Sequence, residues 1–339
     1  MRLQTLVPPL PQDLVDALET VGIKTDMDLL FSGSALQIFK ILPPGSVSPH
    51  EFSELVSHVA ARISAPAIRG DALLTLEEKR FEDHFHGDSM SSGVLSLDEL
   101  VGGFGGSRII EIAGDKAAGK TALALQVVLR HLSNVYDSAA LWIDTTGELL
   151  VESVPILLEH CAGNAVSTVL DRLQVALTFD IEAAEDVLET LRSSLVRSSD
   201  RDASPVMRCV VIDSISSLLS PLLSATSSQG HAIMTTFMRQ LRALADAFSL
   251  TILVINTSSG SSPWNPDSAF LSTTRKPALG PSFTFLTETT LWLAKCESEG
   301  DDPEQECTTH VAEVFRSRTK RSKTWCSFKI RRGVLLSDE

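Results

Sequence analysis

The eight residues GDKAAGKT, at positions 114–121, constrain the fold of this chain more than any other stretch. They follow the apolar run RIIEIA and lead into the helical pattern KTALALQVVLRHL. A strand, a glycine-rich turn and a helix in this order form a phosphate loop, in which backbone N–H groups and a helix N-terminus surround phosphate groups. The segment therefore predicts a nucleotide-binding domain of the α/β class. It leaves open whether the nucleotide is hydrolysed or only held.

Residues of this loop have distinct expected roles. Gly114 and Gly119 let the backbone turn its amides inward, Lys120 reaches the β- and γ-phosphates, and the Thr121 hydroxyl binds Mg²⁺. The run CVVID places Asp213 at the carboxyl end of a second buried strand, where it would hold the same Mg²⁺ through a water. The other loop residues that we expect to contact nucleotide are Asp115, Lys116, Ala117 and Ala118.

Further apolar runs alternate with helical patterns and set the fold class. They occupy residues 139–144, 173–179, 209–213 and 250–256. Parallel strands that are covered by helices on both faces have such near-continuous apolar sequences. The last runs, from TTLWLAK to TWCSFKI, follow one another without helices, which indicates an antiparallel edge. The sequence predicts an α/β core with a mostly parallel sheet.

The chain divides into three parts by its sequence pattern. Residues 1–65 have apolar positions at helical spacing and a capping box formed by Ser48 and Glu51. Residues 66–92 lack a period and contain Gly, Ser and mixed charge, which is typical of a linker. Residues 93–339 contain the phosphate loop and the apolar runs. We therefore expect a small helical N-terminal domain, a linker and a nucleotide-binding core.

Composition excludes several classes of protein. A formal net charge of −14 argues against a chain coated in positive charge for nucleic acid, although a local basic groove remains compatible with it. The apolar runs are too short to span a membrane, and the N-terminus is too short and too proline-broken for a signal sequence. The five cysteines form no C-x-x-C pair, which favours reduced structural thiols in a cytosolic or nuclear protein.

Five segments occur in the order that is seen in RecA-type recombinases: SGVLSLDELVGGF, the phosphate loop, LWIDTTGEL, VVIDSISSLLSPLL and RKPALGPSFTF. The last two, with VGIKTDMDLL near the N-terminus, resemble the D-type paralogues of the eukaryotic Rad recombinase. The resemblance implies a RecA-like P-loop NTPase core, ATP and Mg²⁺ as cofactors, and homologous-recombination repair in the nucleus. It implies as partners single-stranded DNA, a C-type paralogue on the core and a small Xrcc-type paralogue on the N-terminal domain, with no role at a membrane.

Two departures from this family concern hydrolysis. Active recombinases carry a glutamate in Asp-Thr-Glu-Gly that activates the attacking water, and here Thr146 stands at its position. Threonine is no base near neutral pH, and loss of a general base costs on the order of 10²–10⁴ in rate. Glu148 is a substitute only if the turn returns it to the same place. The family's phosphate-sensing glutamine after Asn256 is also replaced, by Thr257.

The stretch 257–280 is the first candidate for contact with DNA. It is too long and irregular for an ordinary connection, and loops of this length are functional or disordered. By its position it resembles the second DNA-binding loop of the family, with Arg275, Lys276 and Trp264 as contacts to phosphate and base. The alternative is a mobile surface loop with incidental charge.

The C-terminal segment RSRTKRSKTWCSFKIRR is the second candidate. It concentrates basic residues, among them Arg316, Arg318 and Arg321, directly after the acidic stretch ESEGDDPEQE. One interpretation is a positive face for the DNA backbone or an acidic partner, and the other is a solvated charged hairpin.

Three functions are compatible with this sequence. The first is a recombinase paralogue that binds ATP, assembles with other paralogues on single-stranded DNA and has at most weak DNA-dependent ATPase activity. The second is an active, DNA-stimulated ATPase and strand-exchange enzyme, which the missing glutamate opposes. The third is a P-loop small-molecule kinase, which the helical N-terminal domain and the absence of a recognisable lid segment oppose.

Overall fold

The computed structural model describes residue 3 and residues 10–63, 68–76, 78, 90–149, 153–162, 166–198, 205–223, 228–262, 264–270, 273–296 and 307–338. The chain forms two compact units, Met1–Arg80 and Phe81–Glu339. Part of the predicted linker at 66–92 lies outside the described residues. Within it, residues 70–76 are helical, and their side chains are exposed.

The first unit is a small group of helices, as the sequence predicts. Ser48 and Glu51 form the expected capping box: the Glu51 amide donates to Ser48 Oγ at 3.2 Å, and the Ser48 amide donates to Glu51 Oε2 at 3.0 Å. Leu18, Leu29 and Phe52 are buried at the centre of the unit. The helices are α1 (Gln12–Thr20), α2 (Asp26–Phe31), α3 (Ala35–Ile41) and α4 (Pro49–Ile63).

The second unit alternates helices and strands. Its helices are α5 (Leu95–Val101), α6 (Lys120–Asn134), α7 (Ser153–Ala162), α8 (Val166–Leu170), α9 (Ile181–Ser198), α10 (Ile215–Leu219), α11 (Ser228–Phe248) and α12 (Gly280–Thr284), with a 3-10 turn at Ser220–Leu222. Its strands are β1 (Arg108–Gly114), β2 (Ser138–Asp144), β3 (Leu173–Leu177), β4 (Val206–Asp213), β5 (Thr251–Asn256), β6 (Ser258–Gly260), β7 (Arg275–Pro277), β8 (Thr289–Lys295), β9 (Cys307–Ser317), β10 (Trp325–Arg331) and β11 (Val334–Ser337).

Among the described residues, nine strands form one sheet in the order β11-β10-β9-β8-β1-β5-β4-β2-β3. The strands from β8 to β3 in this order pair in parallel, whereas β8, β9, β10 and β11 pair antiparallel with one another. The predicted α/β class, the mostly parallel sheet and the antiparallel edge are therefore confirmed. No described helix has the length and the apolar character that crossing a membrane requires.

The sheet buries a hydrophobic core on each face because successive side chains of its strands point to opposite sides. On β1, Ile110 and Ile112 join the core that includes α6, whereas Ile109 joins the core that includes α11. Leu253 and Val254 of β5 divide between the two cores in the same way. Helices on both faces thus explain why the central strands lack polar alternation.

Strand β3 differs from the prediction that the strands are covered on both faces. Its apolar side chains Val175 and Leu177 are more than half exposed, and Phe179 just beyond it is exposed as well. The reason is its place in the sheet, since β3 pairs with β2 and ends the order of strands. An apolar run therefore predicted a strand here but not its position at an edge.

Candidate nucleotide-binding site

The strand order brings four chain segments to one edge of the sheet. β1, β5, β4 and β2 are neighbours and run in parallel, so their carboxyl ends meet there. These ends are Gly114, Asn256, Asp213 and Asp144. Ligands of open α/β sheets bind at such an edge.

Glycine is required at two positions of the phosphate loop. Gly119 has φ +93°, and a Cβ there would lie 2.4 Å from Cδ1 of Ile330. A Cβ on Gly114 would lie 2.2 Å from the carbonyl oxygen of Leu293. The loop backbone is thus pressed against β8 and β10, and no side chain in the described part of the chain caps the N-terminus of α6. The first amides of α6 therefore face the loop as donors for an anion.

Lys120 folds back over the loop. Its Nζ donates to the carbonyl oxygens of Gly114 at 3.0 Å and Asp115 at 2.6 Å. Burial lowers the pKa of Lys120, and the nearby carboxylates of Asp213 and Asp115 oppose that change. Phosphate oxygens in the loop would accept hydrogen bonds from this ammonium group and from the uncapped amides, so the residues present fit a nucleoside triphosphate.

The two predicted magnesium ligands lie in contact. The Thr121 hydroxyl donates to Asp213 Oδ2 at 2.8 Å, across 92 residues of sequence. Burial raises the pKa of Asp213 to about 6; the Thr121 hydrogen bond opposes this, and the charge of Asp144 adds to it. A carboxylate that is half-buried among other carboxylates favours a bound cation. Thr121 and Asp213 therefore fit a hard divalent cation that also binds phosphate.

The turn after β2 is organised around Asp144. This carboxylate accepts hydrogen bonds from the amides of Thr146 at 3.0 Å, Gly147 at 2.9 Å and Leu149 at 3.1 Å. Burial acts to raise the pKa of Asp144, but these hydrogen bonds hold it below its ordinary value. Thr146 is exposed, and its hydroxyl also bonds Asp144, at 3.2 Å. Glu148 is exposed, and its charge contributes to the raised pKa of Asp213.

The first predicted DNA stretch forms a hairpin that contacts the phosphate loop. β6 and β7 pair antiparallel, and Arg275 Nε donates to Asp115 Oδ1 at 2.9 Å. The Ser258 hydroxyl donates to the same oxygen. Burial acts to raise the pKa of Asp115, but Ser258 and Arg275 together hold it below its ordinary value. Asp115 is thus the point where the phosphate loop meets the hairpin.

Contacts with the last strands anchor the tip of this hairpin. Buried Glu313 of β9 accepts a hydrogen bond from the Ser268 hydroxyl at 2.7 Å. The rings of Phe270 and Trp325 lie 5.4 Å apart. Trp264 is 54% exposed, and Lys276 is half-buried. The described part of the stretch is therefore built into the core unit, which its irregular sequence gave no sign of.

The three arginines of the second predicted DNA segment have different surroundings in the structure. Arg316 Nη1 donates to the carbonyl oxygens of Thr284 at 2.7 Å and Thr287 at 3.0 Å, so its guanidinium is engaged within the chain. Arg318 and Arg321 are exposed. Sequence reasoning grouped these three arginines by charge and missed the packing role of the first.

A buried polar network that sequence reasoning missed supports the hairpin. Glu111, fully buried on β1, accepts hydrogen bonds from Asn256 Nδ2 at 2.6 Å and Thr290 Oγ1 at 2.6 Å. Asn256 Nδ2 also donates to Ala278 at the base of the hairpin, at 2.9 Å. Burial raises the pKa of Glu111 to about 7, and the Asn256 and Thr290 hydrogen bonds oppose this. The sequence feature that could have indicated this network is the carboxylate of Glu111 inside the apolar run RIIEIA.

These features define a P-loop NTPase with a RecA-like core: a phosphate loop after the central strand, and a hydroxyl–carboxylate pair at the carboxyl edge of a parallel sheet. The Rad51 family model matches residues 89–309. The chain therefore belongs to the Rad51 family, within the RecA-type recombinase superfamily, and the resemblance described from its motifs is confirmed.

Comparison with individual relatives supports this assignment. The chain is 31% identical over 298 residues to "DNA repair protein RAD51 homolog 4" of Bos taurus, covering 87% of this chain and 85% of the relative. It is 27% identical to the Mus musculus protein of the same name, covering 87% and 84%. The crystal structure of the RadB recombinase has the same fold, with a TM-score of 0.56 and 23% identity over 74% of this chain and 99% of that one.

Proposed function

We propose that this chain is an ATP-binding Rad51 paralogue that acts in homologous-recombination repair in the nucleus. It assembles with other paralogues on single-stranded DNA, supports the main recombinase filament, and hydrolyses ATP weakly or not at all. The observation that carries this proposal is a phosphate loop with an uncapped helix N-terminus and the Lys120 ammonium group, next to a turn that has no glutamate at position 146. The Thr121–Asp213 pair is in place, whereas position 146 presents a threonine bonded to Asp144.

We assign each residue of the site a part in holding the nucleotide. The loop amides and the N-terminus of α6 would bind the phosphates, and Lys120 would exchange its carbonyl partners for phosphate oxygens. Thr121 and Asp213 would hold Mg²⁺, which neutralises phosphate charge when it is bound. None of these contacts requires a general base, so the loss at position 146 spares binding and weakens hydrolysis.

Two features of the hairpin support the proposal that this chain binds single-stranded DNA. The ammonium group of Lys276 has no hydrogen-bond or ion-pair partner among the described residues, and Trp264 offers an exposed ring for stacking. The Asp115 carboxylate offsets the charge of Arg275, so this arginine would attract a phosphate more strongly when it leaves Asp115. DNA contact through this hairpin is therefore linked to the nucleotide loop.

Exposed apolar side chains support the proposal that this chain assembles with other paralogues. The edge strand β3 presents Val175 and Leu177 and, among the described residues, pairs with β2 alone, which suits strand addition by a partner such as the C-type paralogue. The N-terminal unit exposes Phe31, Leu36 and Ile41 on neighbouring helices, a surface for the small Xrcc-type paralogue.

Single-turnover hydrolysis tests the nucleotide part of the proposal. ATP binding and turnover would be measured on the same samples, with and without single-stranded DNA, and Lys120→Ala serves as the blank. We expect ATP to bind and to turn over no faster than the blank. Turnover well above the blank with DNA would instead establish an active ATPase.

One observation favours that active ATPase as a second candidate. Glu148 is exposed on the turn after Asp144, and its charge contributes to the raised pKa of Asp213. If DNA stimulates hydrolysis, Glu148→Gln would abolish the stimulation and leave ATP binding intact. Unchanged stimulation in this variant would exclude Glu148 as the base.

A further inference from the structure

A small pocket lies at the end of the sheet opposite to the phosphate loop. Its cavity of about 150 Å³ lies beside Phe285, in the turn between α12 and β8. Arg239 and Arg242 reach it from α11, and Arg318 reaches it from the end of β9. We call this group of four residues the Phe285 pocket. On β1, Ile110 pairs with Thr289 at the start of β8, whereas Gly114 of the phosphate loop pairs with Leu293. The pocket therefore lies roughly four residues, or about 13 Å, from the loop along β1.

Phe285 is a fixed aromatic ring with one open face. The guanidinium carbon of Arg316 lies 4.5 Å from the ring centroid, over one face. Arg316 is itself held by the carbonyl oxygens of Thr284 and Thr287. Phe285 nevertheless remains 61% exposed, so the other face of the ring is open to solvent.

The surroundings of the ring carry an excess of positive charge. Arg242 pairs with Glu288 and with Asp246, and Arg318 Nη1 lies 3.7 Å from Glu288 Oε1. Arg239 is exposed, and its guanidinium has no hydrogen-bond or ion-pair partner among the described residues. Arg316 adds a fourth guanidinium, and both burial and the charge of Arg318 lower its pKa. Four arginines thus face three carboxylates, those of Glu288, Asp246 and Glu111, the last of which acts on Arg316. The excess of positive charge stands out on a chain whose net charge is −14.

We propose that the Phe285 pocket binds single-stranded nucleic acid, with a base stacked on the open face of Phe285 and backbone phosphates on Arg239 and Arg318. The proposal rests on the DNA binding in the proposed function and adds a contact remote from the hairpin. An exposed ring flanked by guanidinium groups suits a base and its phosphates. An acidic peptide suits it less, because its carboxylates would use the guanidinium groups but would leave the open face of Phe285 without a stacking partner.

Stacking is tested by binding of a fluorescent oligothymidylate to the full chain, measured as anisotropy. Phe285→Ala should weaken binding by about fivefold or more, and Phe285→Trp should restore it. Tyr136→Ala is the matched control, since Tyr136 is also a largely exposed aromatic ring but lies on the loop before β2. The control should bind as the wild type does. Circular dichroism verifies that each variant is folded.

The charge contribution is tested by the salt dependence of the same binding. The double variant Arg239→Ala/Arg318→Ala should reduce the slope of log affinity against log salt by about 0.7 for each arginine removed. Arg197→Ala, at an exposed site near the end of α9, should leave the slope unchanged.

The outcomes separate this inference from the proposed function. Wild-type affinity and slope in the pocket variants, together with weakened binding in Lys276→Ala, would overturn the inference and leave the proposed function standing. Unchanged DNA binding with loss of an acidic protein partner would assign the pocket to that partner and likewise overturn the inference. A wild-type chain that binds no oligonucleotide would overturn both.

Discussion

Arg275 donates a hydrogen bond from Nε to Oδ1 of Asp115, at 2.9 Å, and so joins the hairpin that bears the candidate DNA contacts to the phosphate loop. The two residues are 160 positions apart in sequence. Both side chains are about half exposed, so the ion pair adds little to stability, on the order of 0–1 kcal/mol. Its consequence concerns function, because the negative charge of Asp115 offsets that of Arg275 and would weaken the attraction of this arginine for a DNA phosphate.

We expect Asp115→Asn to release Arg275 and to strengthen binding of single-stranded DNA in the absence of nucleotide, by about two- to fivefold. The melting temperature should change little because the pair is exposed. The measurement is anisotropy of a labelled oligonucleotide. Asp71→Asn removes a comparable exposed partner, from Arg69, and should leave DNA binding unchanged. Equal affinities in wild type and Asp115→Asn would show that the pair does not compete with DNA.

Restoring the glutamate should raise ATP turnover. Thr146→Glu places a carboxylate on the exposed turn after Asp144, and we expect single-turnover hydrolysis to increase by about tenfold or more. Thr146→Gln is the matched neutral control and should stay at the wild-type rate. If both variants behave alike, the side chain at position 146 does not decide turnover.

The stability of the core should depend on pH through Glu111. Its pKa is about 7 in the folded chain and close to 4.5 when exposed, so between these values the folded state binds more protons than the unfolded state. Stability therefore falls as pH rises from about 4.5 to about 7, and the loss is complete above that range.

Glu111→Gln removes this titration and should gain stability over wild type as pH rises through the same window, by roughly 3 kcal/mol at most. Thermal melts at several pH values measure the difference. Glu182→Gln makes the same change at an exposed site on α9, and its melting curve should follow that of wild type at every pH. A constant offset between Glu111→Gln and wild type would contradict the raised pKa.

Alanine at position 119 should damage both folding and nucleotide binding. The left-handed backbone of Gly119 disfavours any side chain, and the added Cβ would press on Ile330. We expect a loss of about 1–3 kcal/mol and weaker ATP binding. Adding Ile330→Val should relieve the contact and recover part of the loss. Gly70→Ala, where a Cβ meets no neighbour, should be close to neutral. Full stability in Gly119→Ala would show that the loop relaxes freely.

Local pattern was sufficient to predict much of this molecule. The phosphate loop, the strands that end at Gly114 and Asp213, and the box formed by Ser48 and Glu51 depend on residues close together in sequence. Their geometry follows from the backbone preferences of glycine, from apolar burial and from helix capping. The family motifs along the chain additionally predicted the fold class.

Only the tertiary structure decided which charges are available. Arg316 and Arg318 are two residues apart and look alike in sequence, yet one is bound by carbonyl oxygens and covers a ring, whereas the other reaches a solvent-facing pocket. Asp115 meets Arg275, and Glu111 meets Asn256, across more than 140 residues. The partner of a charged side chain is set by which distant segments the sheet order brings together, and that order depends on packing of the whole core and not on local pattern.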